Sequence, residues 1–395
     1  MQRLSINGMT GMVALCAAMG THAAVVAPAS VQIGGVHLVP SLKSALSHDD
    51  NVYRDRTEQS SKVLNINPSL DIRAAKGADT YSLLLEADAN RYFSERDADY
   101  TDYKAALTTH NEFNSRNRLD TTLRIGEIND AGSKRTADNK TPEYIGKAAD
   151  IVYGFGSLEA KARVDVFGGV EAKNYKKSTG SDTRTNYYGA TAYYRLMPKT
   201  DVLFEVKQRD LEYKNVNDGG FNVTSYLVGV NWDATAKTSG FAKFGRRYRD
   251  AEASGVSDES YTGWEVGVSY KPLSYSLIQL STGRDYGLDA EDPSSNSFTK
   301  GTNLTLSWQH DWSSRLTSNV SWSRVAEEVE NQNGQTRKDR DTDTINLGLS
   351  WEVKRWLSVS AGFTRFVGDD DVKAVGVTDD SYDRNVYTIG LEASL

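Results

Sequence analysis

Alternation with a period of two runs through this chain and limits what it can fold into. Between positions 158 and 172, Leu158, Ala160, Ala162, Val164, Val166, Gly168, Val170 and Ala172 share one phase. Glu159, Lys161, Arg163, Asp165, Phe167, Gly169 and Glu171 share the other. Strict alternation of this kind marks a strand rather than a helix. The run is far longer than the roughly five or six residues usual in a soluble sheet. One phase is apolar and small, and the other carries charges of both signs. That combination suits a wall with lipid on one side and water on the other. The pattern recurs at 36–42, 64–72, 226–232, 264–270, 304–308 and 345–351. Only 38% of the residues are hydrophobic, and beyond the first two dozen no apolar run reaches the roughly 18–20 residues of a membrane helix.

Followed to the C-terminus, the alternation predicts strands over 36–46, 62–74, 80–92, 102–113, 118–127, 147–156, 158–173, 186–196, 201–211, 222–233, 239–249, 261–271, 274–285, 300–310, 315–326, 342–353, 357–366 and 383–395. Short turns and longer polar loops alternate between them, as in barrels with short periplasmic turns and long outer loops. The predicted fold class is all-β, a transmembrane antiparallel up-and-down β-barrel of about 18 strands, or 16 if the pairs around 93–127 are misread. Aromatic residues on the apolar phase fit two interfacial girdles. Phe155, Tyr194, Trp232, Tyr270, Trp308 and Trp351 fall near one end of the strands. Tyr188, Tyr226, Tyr248, Trp264, Tyr286 and Trp322 fall near the other.

Residues 1–23 read as a signal peptide. Arg3 supplies the positive start, 9–19 the apolar stretch, and Thr21-His22-Ala23 the small residues before cleavage. Residues 24–395 then form a single outer-membrane barrel domain, placed in the cell outer membrane of a Gram-negative bacterium. Cys16, the only cysteine, leaves with the signal, so no disulfide, thiolate metal site or cysteine nucleophile is expected. Acidic residues outnumber basic ones, 53 to 46, which argues against nucleic acid as a partner.

The start of the mature chain carries Pro40-Ser41-Leu42, then His48-Asp49-Asp50-Asn51-Val52-Tyr53-Arg54, then Asn67-Pro68-Ser69-Leu70. This order resembles the opening of the beta-barrel porin 2 family, which includes the EpsL-like proteins of exopolysaccharide operons. The motif resemblance covers roughly residues 36–75, and beyond it only the strand rhythm is similar. It implies an outer-membrane barrel linked to secretion of a surface polysaccharide, with periplasmic export machinery as a partner. It implies no catalytic residue. The last strand, with Tyr387, Ile389, Leu391, Ala393 and Leu395 on one phase, resembles the C-terminal assembly signal of such barrels, with Leu395 where Phe is usual.

An 18-strand barrel leaves an aqueous lumen unless something fills it. The inward phase supplies basic pore-lining candidates Arg73, Lys161, Arg163, Arg195, Lys207, Arg209, Lys243 and Arg247. The acidic candidates are Glu86, Asp88, Glu112, Asp165, Glu205 and Glu265, and the aromatic ones Phe167, Tyr187, Tyr193 and Phe241. Basic groups converging at one height would form an anion-attracting constriction. The same residues could equally form a ladder of cross-strand ion pairs that fills the lumen. His110 and Glu112 share a face, but no serine elbow or zinc-protease motif accompanies them, so an enzyme is not expected. Neither a cofactor nor a metal is expected. Conduction of an anionic surface or capsular exopolysaccharide is the first functional reading. A general or anion-preferring diffusion porin for small solutes is the second, and a non-conducting surface-binding barrel the third. Lipopolysaccharide and other outer-membrane lipid would surround any of them.

Overall fold

The computed structural model describes residues 31–130, 142–177, 182–215, 220–233, 237–251, 258–288, 298–331, 335–377 and 379–394. The proposed signal peptide and the middle of the longest outer loop lie outside the described residues. The strands are β1 (Val31–Ile33), β2 (Val36–Asp49), β3 (Ser61–Lys76), β4 (Asp79–Tyr92), β5 (Tyr100–Asn114), β6 (Asn117–Asn129), β7 (Glu143–Phe155), β8 (Ala162–Tyr175), β9 (Thr183–Met197) and β10 (Thr200–Tyr213). They continue as β11 (Gly220–Trp232), β12 (Thr238–Ala251), β13 (Glu259–Leu273), β14 (Ser276–Leu288), β15 (Phe298–Asp311), β16 (Leu316–Glu330), β17 (Thr336–Lys354), β18 (Leu357–Val372) and β19 (Tyr382–Ser394). Each of β2 to β19 pairs antiparallel with its sequence neighbours, and β19 returns to β2, closing an 18-strand barrel. The short β1 only folds back on β2, pairing Val31 with Leu38.

Closure of the ring pairs each strand on both sides over most of its length, so backbone polar groups are satisfied within the wall, which is what permits a sheet to cross lipid. The side chains are arranged inside-out relative to a soluble protein. Outward residues such as Val228, Val166 and Ile389 are more than half exposed, while Arg209 and Arg247, on the inner face, are each only 1% exposed. This is an outer-membrane β-barrel of the Gram-negative type.

The motif around Asp49 closes the ring. On the inner face, Arg384 of β19 donates to both carboxylate oxygens of Asp49, with Nη2 at 2.6 Å. On the outer face, the Asn385 amide and side chain donate to the Asp50 carboxylate at 2.6 and 2.8 Å. The fully buried Asn51 donates from its side chain to the carbonyls of Asp55 and Asp383 at 2.7 and 2.8 Å. Val52 then packs with Val63, Tyr92 and Ala98. The first and last strands are thus fastened on both faces at their outer ends. Removing one partner of a buried ion pair costs about 3 kcal/mol or more. Arg384→Ala is therefore expected to lower the temperature at which the barrel loses its compact electrophoretic mobility. An unchanged transition would show that the seam does not depend on this pair.

Two sequence expectations need correction here. The strand expected over 158–173 begins at Ala162, because Gly156 takes a positive φ of 102° and the chain turns through 157–161. Lys161 therefore does not line the lumen. It sits in this turn, donates to the Arg195 carbonyl at 2.7 Å, and lies 4.7 Å from the outward ring of Tyr194. Tyr286 does not join the outer girdle but is buried, for the reason given below.

Candidate functional site

The inner wall of β8 to β13 carries the densest charge in the barrel, and part of it is covered by the barrel's own strands. Pairing of β13 with β14 stops at Trp264 and Arg284, although β13 continues to Glu259 and β14 to Leu288. Meanwhile β14 and β15 stay paired up to Leu288 and Phe298. The outer ends of β14 and β15, still tied to β16 through Phe298 and Glu330, separate from β13 and lean inward. Tyr286, Leu288 and Phe298, which alternation would turn to lipid, pack instead on the inward residues Leu211, Phe221, Val223 and Tyr261. Tyr261 and Tyr286 meet edge to face at 4.5 Å, and the Arg249 guanidinium lies 3.9 Å from the Phe298 ring centre. Burying these rings stabilises the inward position, since each large aromatic removes some 150–250 Å² from water.

Charges fasten the same contact. Asp285 of β14 binds Arg209 of β10, which also donates to the Tyr286 carbonyl at 3.2 Å. The second Asp285 oxygen lies 3.1 Å from Arg247. Arg247 continues to Glu265 at 2.7 Å, Glu265 to Lys243 at 2.8 Å, and Lys243 to Glu205 at 2.9 Å. An unbroken chain of alternating charge thus runs across the wall. Gly263 makes room for it, because a Cβ there would stand 2.4 Å from the Arg247 Nε. Nearer the periplasmic turns, Arg163 lies 3.9 Å from the Tyr193 ring and reaches over β9 to Asp201 at 2.6 Å. Arg195 shares that carboxylate at 3.1 Å and also holds Glu159.

Charge sharing is uneven. Asp201, Glu265 and Asp285 each serve two cations. Arg163, Arg209 and Arg247 each keep a buried Nε with no acceptor among the described residues. Lys207 is only 6% exposed and has no carboxylate or hydrogen-bond partner among the described residues; its ammonium lies 5.1 Å from the Tyr187 ring. The Lys207 charge is therefore left without a bonded carboxylate in a setting that screens it poorly.

The opposite side of the lumen is wetter. Arg73 pairs with Asp71 at 2.5 Å and Lys104 with Glu86 at 3.7 Å, while Arg124 pairs with Asp150 at 2.7 Å. The side chains of Arg73 and Arg124 are still more than half exposed. Asp88 accepts from Asn65, and Asp165 binds Arg118. Glu112 stands 3.4 Å from one ring nitrogen of His110, whose other nitrogen faces Asp120 at 2.6 Å. On the charged wall itself, Phe167 and Tyr187 form an aromatic pair at 6.5 Å, and the Lys243 ammonium lies over the Phe241 ring at 5.6 Å. Between β13 and β18 the inward residues are mostly neutral, with Asn346 bridging Ser321 and Thr364.

The structure thus gathers Arg163, Arg195, Lys207, Arg209, Lys243 and Arg247 on one wall, together with Glu205 and Glu265. It leaves Arg73, Glu86, Asp88 and Glu112 on the other strands. The paired-ladder reading fits every one of these basic residues except Lys207. Sequence reasoning did not select Asp201 or Asp285. Both sit on the inward phase, so the signal was present; Asp201 lies directly opposite Arg195 of the neighbouring β9, whereas Arg163, Arg209 and Arg247 reach these carboxylates from strands that are not adjacent.

No protein-family model and no curated protein matches this sequence. In fold the chain is similar to the outer membrane protein OpdK of Pseudomonas aeruginosa, at 10% identity and a TM-score of 0.48, covering 91% of this chain and 99% of that one. It is also similar to OccAB3 of Acinetobacter baumannii, at 11% identity and 0.46, covering 92% and 100%. A third similar fold is the FrpB iron transporter of Neisseria meningitidis, at 7% identity and 0.47, covering 91% and 81%.

Proposed function

We propose that this chain is an outer-membrane diffusion pore for small solutes that prefers anions. The observation that carries this reading is the sharing of Asp201, Glu265 and Asp285 between two cations each, which leaves Lys207 unmatched beside a narrowed lumen. Low-dielectric walls focus such a field and raise the local concentration of counter-ions. Rings and ladders of charge select ions by sign in other pores on the same physical ground. The test is the reversal potential of the refolded protein in a planar bilayer under a potassium chloride gradient. Its sign is expected to report chloride passing more readily than potassium. A cation-selective sign would sink the reading, and absence of conductance would favour a barrel whose outer loops bind partners.

Export of a surface polysaccharide is the second reading, supported by the resemblance at residues 36–75. One structural feature suits it. The inward face of β13 to β18 offers neutral amide and hydroxyl groups such as Gln279, Ser307, Asn319, Ser321, Asn346 and Thr364, which can exchange weak hydrogen bonds with sugars. Passage of a polymer needs many such weak contacts rather than one strong one. Reversible interruption of the current by an anionic oligosaccharide, at concentrations where a simple salt has no effect, would favour this reading over the first.

A further inference from the structure

We infer that Lys207 and the aromatic pair beside it form a discrete binding subsite for a small organic acid, one carboxylate attached to a flat apolar body. The inference rests on the pore reading above and deepens it. In the sheet, Lys207 of β10 lies between Gly189 of β9 and Ser225 of β11. Gly189 has no side chain, and the Phe167 ring occupies that space, 2.6 Å from where a Cβ would be. Tyr187, the next inward residue of β9 toward the outer end, stands 6.5 Å from Phe167 and 5.1 Å from the Lys207 ammonium. Neither ring is free to turn away. Tyr187 donates its hydroxyl to Asp150 and lies against Gly169, where a Cβ would be 2.6 Å from its ring.

The charges around this spot limit what it can take. Lys243 is held by Glu205 and Glu265, and Arg209 by Asp285. The Ser225 hydroxyl accepts from Arg247 at 3.3 Å. Lys207 is therefore a cation in the middle of this wall without an anion among the described residues, as is Lys173 further out on β8, which lies 5.3 Å from the Tyr144 ring, and the Lys207 ammonium tip is not sealed from the lumen. An inorganic divalent anion would find a single unmatched positive charge and no second one. A monoanion whose carboxylate meets Lys207 and whose body lies against Phe167 and Tyr187 uses both halves of the site. Buried hydrogen bonds to a charged group and contacts with aromatic faces each add to binding.

The experiment is current interruption in planar bilayers containing the full mature chain, with benzoate, acetate and benzyl alcohol as probes. Benzoate is expected to interrupt the current at concentrations about tenfold or more below acetate, from the combined polar and aromatic contacts. Benzyl alcohol, which lacks the charge, is expected to have no effect. Lys207→Gln should abolish the interruption by benzoate, and Phe167→Ala should reduce benzoate to the level of acetate. Phe167→Leu replaces it if the alanine variant does not assemble. Equal interruption by acetate and benzoate would overturn the aromatic half of the site. Interruption surviving in Lys207→Gln would overturn the assignment to Lys207. Reversal potentials recorded in the same bilayers separate the two levels of inference. Anion preference without benzoate interruption removes the subsite alone, whereas cation preference removes the pore reading and the subsite with it.

Discussion

Phe298→Ala is expected to release the outer ends of β14 and β15 from the inner wall and to add a larger conductance level. Phe298 is 1% exposed and touches Phe221 and Tyr286 edge to face, at 5.9 and 6.1 Å. It also supports the Arg249 guanidinium. Truncating a buried phenylalanine to alanine costs about 3 kcal/mol or more. If that loss falls on the docked arrangement, its population relative to an undocked one changes by roughly a hundredfold. An alternative position for the strands exists. Continuing the register past Trp264↔Arg284 would place Asp285 opposite Gly263 and Tyr286 opposite Thr262, returning Tyr286 to the outer girdle. Single-channel recordings should show frequent excursions to the larger level in the variant and rare ones in the native chain. An unchanged conductance with normal assembly would show that the charged contacts of Asp285 suffice to hold the strands inward.

The same strands show why the fold was more legible in the sequence than the site. Alternation alone identifies a wall with lipid on one face, and the even strand count and the placement of long loops follow from it. Each of these depends on residues within one strand or one turn. The errors arise where a second strand decides. The residues at 158–161 keep the alternating phase by chance while the backbone turns at Gly156. Tyr286 keeps the outward phase while its strand leaves the wall. Asp285 finds cations on β10 and β12, and Asp201 one on β8 beyond its neighbour β9, contacts fixed by how far strands and side chains reach across the inner face. No pattern along one strand encodes that distance. The alternation did separate wall residues from lipid-facing ones, and so it placed Lys207 inward without revealing that it would lack a carboxylate among the described residues.

Glu265 is the position where stability and selectivity are most tightly coupled. Its two oxygens hold Lys243 at 2.8 Å and Arg247 at 2.7 Å, in the middle of the charge chain that ends on Asp285 and Glu205. Glu265→Gln keeps the shape and removes one negative charge. The two cations retain Glu205 and Asp285, but the wall gains a net positive charge among buried groups. Breaking a buried pair in this way costs on the order of 3–5 kcal/mol, so the variant is expected to unfold at a lower temperature in detergent. Its anion preference is expected to rise, since the added field acts across a poorly screened lumen. Lys243→Met provides the opposite case, because it also breaks a buried pair but removes a positive charge. Both variants should lose stability, while their reversal potentials should move in opposite directions. If both moved the same way, the effect would come from repacking of the wall, and selectivity would have to be assigned to something other than its charge.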